Sequence, residues 1–350
     1  MKRWRYFTLL ALLLTVSVTS MSAATAFTPT SDVSVATKWE LIGSYRGRGA
    51  TGLAIAGDYA YLASSTYGLR IVDISNLASM SEVGYYDTDG VAVSVVVAGS
   101  HAYVANQSAG LSVIDVSDPA HPAEVGVYAD PAGWAVDVAV RDDYAYIAAS
   151  TGGLRIADVS DPAHPSAAGF YDPYAFSTQA IALKGNHAYL ASGKGTAIVP
   201  GGLRIIDISN PAAPTQTGFY DPQIQASRVA VSDNYAYVTF WFGGLRIVDV
   251  TNPAAPTPAG WIETGLYADD LTVSGNYLYL VGESDDRLRI FDVSDPMAPV
   301  QAGEYNPVYA TQSVVVVGDR VYVGLSHGFD VLQITQPVLD EQVHLPRVLG

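Results

Sequence analysis

The sequence predicts an all-β protein: a seven-bladed β-propeller of four-stranded antiparallel blades, with the last blade closed by the N-terminal strand. Three observations predict it. One six-residue word recurs seven times. Three further strand-like runs accompany each complete copy. One such run is missing at the end of the array and stands instead before its beginning.

The word is Leu69-Arg70-Ile71-Val72-Asp73-Ile74, then Leu111-Ser112-Val113-Ile114-Asp115-Val116. It returns at residues 154–159, 203–208, 245–250 and 288–293, and in degraded form at 329–334. Its aspartates stand at 73, 115, 158, 207, 249 and 292, with Gln333 in the last place, so the steps are 42, 43, 49, 42, 43 and 41 residues. A period of this length built from strand-like words marks a propeller.

The second copy shows the unit. Residues 93–98 are an apolar, β-branched run, and Gly99-Ser100 is a two-residue turn. Residues 102–105 resume the run and 107–110 break it. Residues 111–116 are the third run, Ser117-Asp118-Pro119-Ala120-His121-Pro122 is a turn, and 124–128 is a fourth, weaker run. Four short β-rich segments bounded by Gly, Asp, Asn and Pro read as an antiparallel meander. Such a sheet has two apolar faces and cannot bury them alone; a ring of sheets buries both. The seventh copy lacks its fourth run. The matching word, Glu40-Leu41-Ile42-Gly43-Ser44-Tyr45, precedes the first copy and resembles Glu124-Val125-Gly126-Val127-Tyr128. The N-terminal strand is therefore expected to complete the last blade, because an open ring would leave a blade face and strand edges exposed.

These words resemble the LVIVD-repeat family of bacterial and archaeal proteins, from about residue 40 to residue 334. The last copy departs from the pattern, with Asp330 for Arg and Gln333 for Asp. The resemblance implies an extracytoplasmic propeller. It brings no common catalytic motif, so it implies fold and location, not activity.

The ends and the composition bound the function. Lys2, Arg3 and Arg5 precede an apolar stretch at 7–18, and Ala24-Thr25-Ala26 or Ser22-Ala23-Ala24 fits small-x-small cleavage. Residues 1–26 read as a signal peptide, with a membrane anchor as the alternative. Residues 27–39 read as a polar linker, 40–335 as the propeller and 336–350 as a tail. The net charge is −16, and loss of the three leader cations with no acid takes it to −19. That balance argues against nucleic acid. It fits a secreted or cell-surface protein that does not span the membrane once its leader is removed. The chain has no Cys, which excludes disulfides, thiolate metal sites and Cys nucleophiles.

Residues repeated in most blades serve what all blades share. Tyr59/Tyr61, Tyr144/Tyr146, Tyr235/Tyr237 and Tyr277/Tyr279 suit a half-buried pleated surface. Arg70, Arg155, Arg204, Arg246 and Arg289, with the Asp three positions later, are expected to satisfy turn backbone or pair between neighbours. His101 and His187 fill a Tyr slot. His121 and His164 lie in Asp-Pro-Ala-His-Pro turns, and His327 on another loop. None has metal-ligand spacing. Gly47-Arg48-Gly49-Ala50-Thr51-Gly52 and Gly324-Leu325-Ser326-His327-Gly328 match a dinucleotide-loop and a nucleophile-elbow pattern. Both need a following helix, and neither has one.

Odd residues on the variable side of the ring are the candidates. That side carries the second-to-third loops and the connections between blades. It holds Phe240, Trp241 and Phe242 in one loop, an enlarged loop at 193–202, and Trp134, Tyr174, Phe176, Tyr267 and Tyr309 in the connections. Counting back from the second Tyr of each blade puts Asp137, Arg228 and Asp270 at equivalent starts of the innermost strand, with Asp269 adjacent. Aromatics beside carboxylates suit a sugar surface, though the same rings would also plug a channel mouth. Acids at 87, 89, 130, 172, 221, 283, 285 and 286 line the loops. Asp87-Thr88-Asp89-Gly90 opens like a Ca²⁺ loop but lacks the closing Glu, so Asp87 and Asp89 are the metal candidates and no other cofactor is expected.

The function expected is an exported, non-enzymatic propeller binding a protein or glycan at the cell surface. The alternatives are a polysaccharide hydrolase or lyase using Asp137 and Asp270, or a structural module that self-associates.

Overall fold

The computed structural model describes residues 38–129, 133–172, 177–193, 201–241, 243–264, 268–282 and 286–335. Every helix or strand among them is a strand. The chain begins with β1 (Lys38–Tyr45). Blade 1 is β2 (Gly52–Ala56), β3 (Tyr59–Ala63), β4 (Leu69–Asp73) and β5 (Ser81–Tyr86). Blade 2 is β6 (Ser94–Ala98), β7 (His101–Ala105), β8 (Leu111–Asp115) and β9 (Ala123–Tyr128). Blade 3 is β10 (Asp137–Arg141), β11 (Tyr144–Ala148), β12 (Leu154–Asp158) and β13 (Ser166–Tyr171). Blade 4 is β14 (Ser177–Lys184), β15 (His187–Gly193), β16 (Gly202–Asp207) and β17 (Thr215–Tyr220). Blade 5 is β18 (Ala226–Ser232), β19 (Tyr235–Phe240), β20 (Gly244–Asp249) and β21 (Thr257–Ile262). Blade 6 is β22 (Asp270–Ser274), β23 (Tyr277–Gly282), β24 (Arg287–Asp292) and β25 (Val300–Tyr305). Blade 7 holds β26 (Thr311–Val317), β27 (Arg320–Leu325) and β28 (Gly328–Thr335).

Each of the first six blades is a meander in chain order, and the seventh has the order β1-β28-β27-β26. The N-terminal strand is thus the outer strand of the last blade, in register from Lys38↔Thr335 to Tyr45↔Phe329. First strands of successive blades touch around the ring, and β26 meets β2 to close it. Second and third strands are buried along almost their whole length, as in β3 and β4, because both of their faces meet a neighbouring sheet. The core therefore lies between blades. Leu69 and Ile71 of blade 1, for example, pack with Val95, Val104 and Ile114 of blade 2. Each such side chain contributes about 1.5–3 kcal/mol of burial.

The repeated polar residues have local work. Oδ1 of Asp73, Asp115, Asp158, Asp207, Asp249 and Asp292 accepts the N–H two residues on, at 2.8–2.9 Å. Hydrogen bonds from that Ser or Thr, through its hydroxyl and its N–H, hold the first five of these carboxyls below the ordinary range. Gln333 replaces Asp because β28 pairs with a strand from the far end of the chain, so there is no hairpin turn to cap. Four of the arginines lie under the ring directly across on the outer strand, and Arg289 lies opposite Glu304. Arg70 sits 4.5 Å from Tyr85, Arg155 5.0 Å from Phe170, Arg204 4.4 Å from Phe219 and Arg246 5.2 Å from Trp261.

The fourth-strand glycine is set by close approach. A Cβ on Gly84, Gly126, Gly169, Gly218 or Gly260 would lie 2.0–2.3 Å from a proline carbonyl oxygen in the next blade's turn. Blade 7 has no such turn to press on Gly303 of blade 6. Trp39 of β1 takes its place, with Nε1 over Gly303 and its ring edge-on to Tyr279 at 5.9 Å. This burial carries β1 back to Lys38, two residues inside the segment read from the sequence as linker.

Gly218→Ala is expected to lower stability by about 1–3 kcal/mol through overpacking, and Trp39→Ala by about 3 kcal/mol through the cavity it leaves. Gly193→Ala, whose new methyl meets nothing closer than 3.5 Å, should stay within about 0.5 kcal/mol of the parent. Urea denaturation of the three variants checks the order.

Candidate functional site

The starts of the inner strands face the ring axis. Their register with the second strands makes Gly52, Ser94, Asp137, Ala180, Arg228, Asp270 and Ser313 equivalent. The repeat therefore leaves this position free to vary while the strands around it stay constant. Gly52, Ser94, Asp137, Gln179, Arg228 and Asp270 line one cavity of about 130 Å³. It opens into a wider mouth of about 280 Å³ lined by Thr51, Gln107, Gln179, Arg228, Asp269 and Gln312. Asp137, Arg228, Asp269 and Asp270 thus come together as the sequence suggested.

The two carboxylates are engaged on both oxygens. Oδ1 of Asp137 accepts the Ser94 hydroxyl at 2.8 Å and the Val138 N–H at 2.9 Å; Oδ2 accepts the Ile181 N–H at 2.9 Å. Oδ1 of Asp270 accepts the Leu271 N–H, and Oδ2 the Val314 N–H, both at 2.9 Å. Ile181 and Val314 lie on the inner strand of the following blade, so each carboxylate ties two blades together. Arg228 continues the series by donating from Nε to the Asp269 carbonyl oxygen of blade 6. Ser313 donates to the Ala50 carbonyl oxygen at 2.7 Å across the seam between blades 7 and 1.

These groups keep some contact with the cavity but are surrounded by protein. Burial raises the Asp137 carboxyl above the ordinary range, opposed by the Ile181 N–H, Ser94 and the Arg228 charge. Burial likewise pushes Asp270 up to about 6, opposed by the Val314 N–H and Arg228 and reinforced by the Asp137 charge. One arginine beside two desolvated carboxylates keeps the floor of the mouth polar.

The other candidates separate. Trp134 and Trp241 are 56% and 42% exposed, each at a mouth-side loop. Phe240 is a correction to the sequence reading. It ends β19 and is 2% exposed, packed in the core between blades 4 and 5. Strand pairing with Ala226 and Gly244 carries it past the point where the loop was expected to begin. Tyr174 and Phe242 lie outside the described residues, as do Asp130, Phe176, Tyr267, Glu283 and Asp285. Asp87 pairs with Arg70 at 2.5 Å, and both Asp87 and Asp89 are exposed. Among the described residues no cluster of three His or acidic groups fits a metal ion.

Gln107, Gln179 and Gln312 were not singled out from the sequence. Gln179 and Gln312 occupy β-bulges, between Thr178 and Ala180 and between Thr311 and Ser313. An inserted residue turns its side chain off the strand's alternation, here toward the mouth. Gln107 has φ +46° and bridges Ala135. Arg48 and Tyr67 also lie on this side. The guanidinium stacks at 3.8 Å on the Tyr67 ring, which is 43% exposed. Backbone bonds fix Arg48 and its neighbour, from Gly328 N–H to the Arg48 carbonyl oxygen at 3.0 Å and from the Ser64 hydroxyl to that of Gly49 at 2.7 Å. Unrepeated Gln at the start of a blade's first strand was the sequence signal for Gln179 and Gln312; Gln107, in the loop between β7 and β8, carried no such signal.

The fold and the site define a closed β-propeller with a polar, blade-variable axial mouth. The chain belongs to the LVIVD-repeat family. That family's model matches residues 47–88, 89–130, 132–173, 177–222, 225–264 and 265–307. No curated protein matches the sequence. Among solved structures it is similar to the β-propeller domain of Cps50 (Swd1) from Myceliophteria thermophila, at 13% identity and TM-score 0.69, over 85% of this chain and 100% of that one. The WD40 propeller domain of Doa1 has 11% identity and TM-score 0.69, over 85% and 98%. BamB from Moraxella catarrhalis has 13% identity and TM-score 0.58, over 81% and 82%. These likenesses show the fold alone. Among the described residues no helix is long and apolar enough to cross a membrane.

A carboxyl whose folded pKa is raised stabilises most below its unfolded value, and that stability is lost as pH rises through the folded value. Asp270→Asn should be the weaker fold at pH 4.5, because its amide cannot accept both N–H groups. The deficit should shrink by about 2 kcal/mol by pH 7.5, where only the parent buries an ionised group. Urea titrations at the two pH values read the difference.

Proposed function

We propose that this protein is an exported, non-enzymatic binding propeller that takes a glycan at the axial mouth. The observation that carries the reading is the convergence of unrepeated polar side chains, Gln107, Gln179, Arg228, Asp269 and Gln312, at the axial mouth, where the repeat leaves residues free to vary. Amide, carboxylate and guanidinium groups together offer donors and acceptors that match sugar hydroxyls. Trp134, Trp241 and the Arg48-stacked Tyr67 supply ring faces on the same side for the apolar faces of the sugar.

Two features favour binding over hydrolysis. Glycoside cleavage uses one carboxyl as a proton donor and a second as base or nucleophile, and both need an oxygen free for substrate. Asp137 and Asp270 spend their oxygens on backbone N–H groups of their own and the next blade. Their raised pKa values follow from burial in a blade tie. The basic, apolar and small-residue order of residues 1–26 supports export, and no disulfide is needed for it in a chain without Cys. Such a signal predicts a mature N-terminus after Ala26 or Ala24.

A glycan array probed with the mature chain tests the proposal. Binding is expected to selected polysaccharides and to fall about tenfold or more in Gln179→Ala/Gln312→Ala, since each lost hydrogen bond is worth about 1 kcal/mol. Capture of protein partners only, or turnover of a polysaccharide abolished by Asp270→Asn with the fold intact, would reject it.

A further inference from the structure

The blade that closes the ring carries an ion pair whose polarity is the reverse of that in blades 1 and 3. In most blades the central strand carries Arg, and the residue just after the outer strand is acidic. The two positions hold Arg70 and Asp87, Arg155 and Asp172, Arg204 and Asp221, and Arg246 and Glu263; the first two sets approach to 2.5 and 3.9 Å. Blade 2 has lost both members, with Ser112 and Ala129. In blade 6 Arg289 faces Asn306 and donates to the Thr264 carbonyl oxygen at 2.8 Å. Blade 7 has Asp330 and Arg46. The registers Leu69↔Tyr86 and Phe329↔Tyr45 make Asp330 equivalent to Arg70, and Arg46 to Asp87.

The reversed pair is made, and its acid is enclosed. Arg46 Nη2 lies 2.7 Å from Asp330 Oδ1, against 2.5 Å for Arg70 and Asp87. Asp330 is 0% exposed. It accepts the Ser44 hydroxyl at 2.6 Å and the Tyr305 hydroxyl at 2.9 Å, the latter from blade 6. An acid buried this deeply requires its cation.

We infer that this polarity selects the blade that β1 completes. The outer-strand words of β1 and β5 are alike, Glu40-Leu41-Ile42-Gly43-Ser44-Tyr45 against Ser81-Glu82-Val83-Gly84-Tyr85-Tyr86. Blade 1 is also the first acceptor that β1 meets along the chain, and short-range pairing forms ahead of a contact with residue 330. With β1 in the place of β5, Arg46 would stand against Arg70. With β5 on blade 7, Asp87 would stand against the buried Asp330. Both errors set like charges together, and only the native pairing neutralises them.

The chain has no Cys, so introduced pairs report closure directly. Glu40 lies opposite Gln333 in the native register; mispaired on blade 1 it would lie opposite Asp73, the partner of Ser81. The full chain is refolded under oxidising conditions as Glu40→Cys/Gln333→Cys and, separately, as Glu40→Cys/Asp73→Cys. Native charges should give the first crosslink over the second. Arg46→Asp should shift that ratio at least about tenfold toward the second, and Arg46→Gln by less. Arg46→Asp with Asp330→Arg should restore it. A ratio unchanged by Arg46→Asp and Arg46→Gln, or left unrestored by the double reversal, overturns the inference. If Arg46→Asp yields no folded chain, the double reversal and Arg46→Gln decide by the same ratio.

Discussion

A four-stranded sheet with apolar residues on both faces is stable only between two others. Everything else here depends on that constraint. The second and third strands of each blade are buried on both sides, and each hydrophobic cluster is shared by adjacent blades. No blade owns its core, so a ring with a gap would expose two faces at once. The long-range pairing of β1 with β28 is the step that completes burial for all seven.

The same constraint explains why the repeat is polar where it is. Asp at the end of the third strand caps the turn that hands the chain to the fourth. Gly on the fourth strand lets the next blade's turn approach. In blades 1 and 3 Arg lies under an outer-strand ring and beside an acid. Each device fails at the seam, where chain connectivity changes, and each failure is compensated. Gln333, with no turn to cap, donates to Asp319, Trp39 replaces the missing turn, and Asp330 with Arg46 reverses the ion pair. The decay of the seventh copy is therefore an adaptation to strand exchange between the chain's two ends.

At the axis the inner strands contribute one free position per blade. The repeat demands little there beyond contact with the next blade, and Asp137, Arg228, Asp270 and Ser313 meet that demand in different ways. The carboxylates that looked most like chemistry hold blades together, while glutamines line the mouth and aromatics stand at its rim.

The sequence alone determined the number of blades, the four-strand unit and the use of the N-terminal word to close the ring. Those features are periodic, and periodicity survives translation into structure. It also brought Asp137, Arg228 and Asp270 to one level, because counting from the second Tyr follows a fixed register. Tertiary structure decided the rest. It placed Phe240 in the core by extending β19, gave Asp87 to Arg70, and turned Gln179 and Gln312 into the mouth through bulges. A bulge or a cross-blade hydrogen bond depends on which backbone lies opposite, and no pattern within one strand encodes its neighbour.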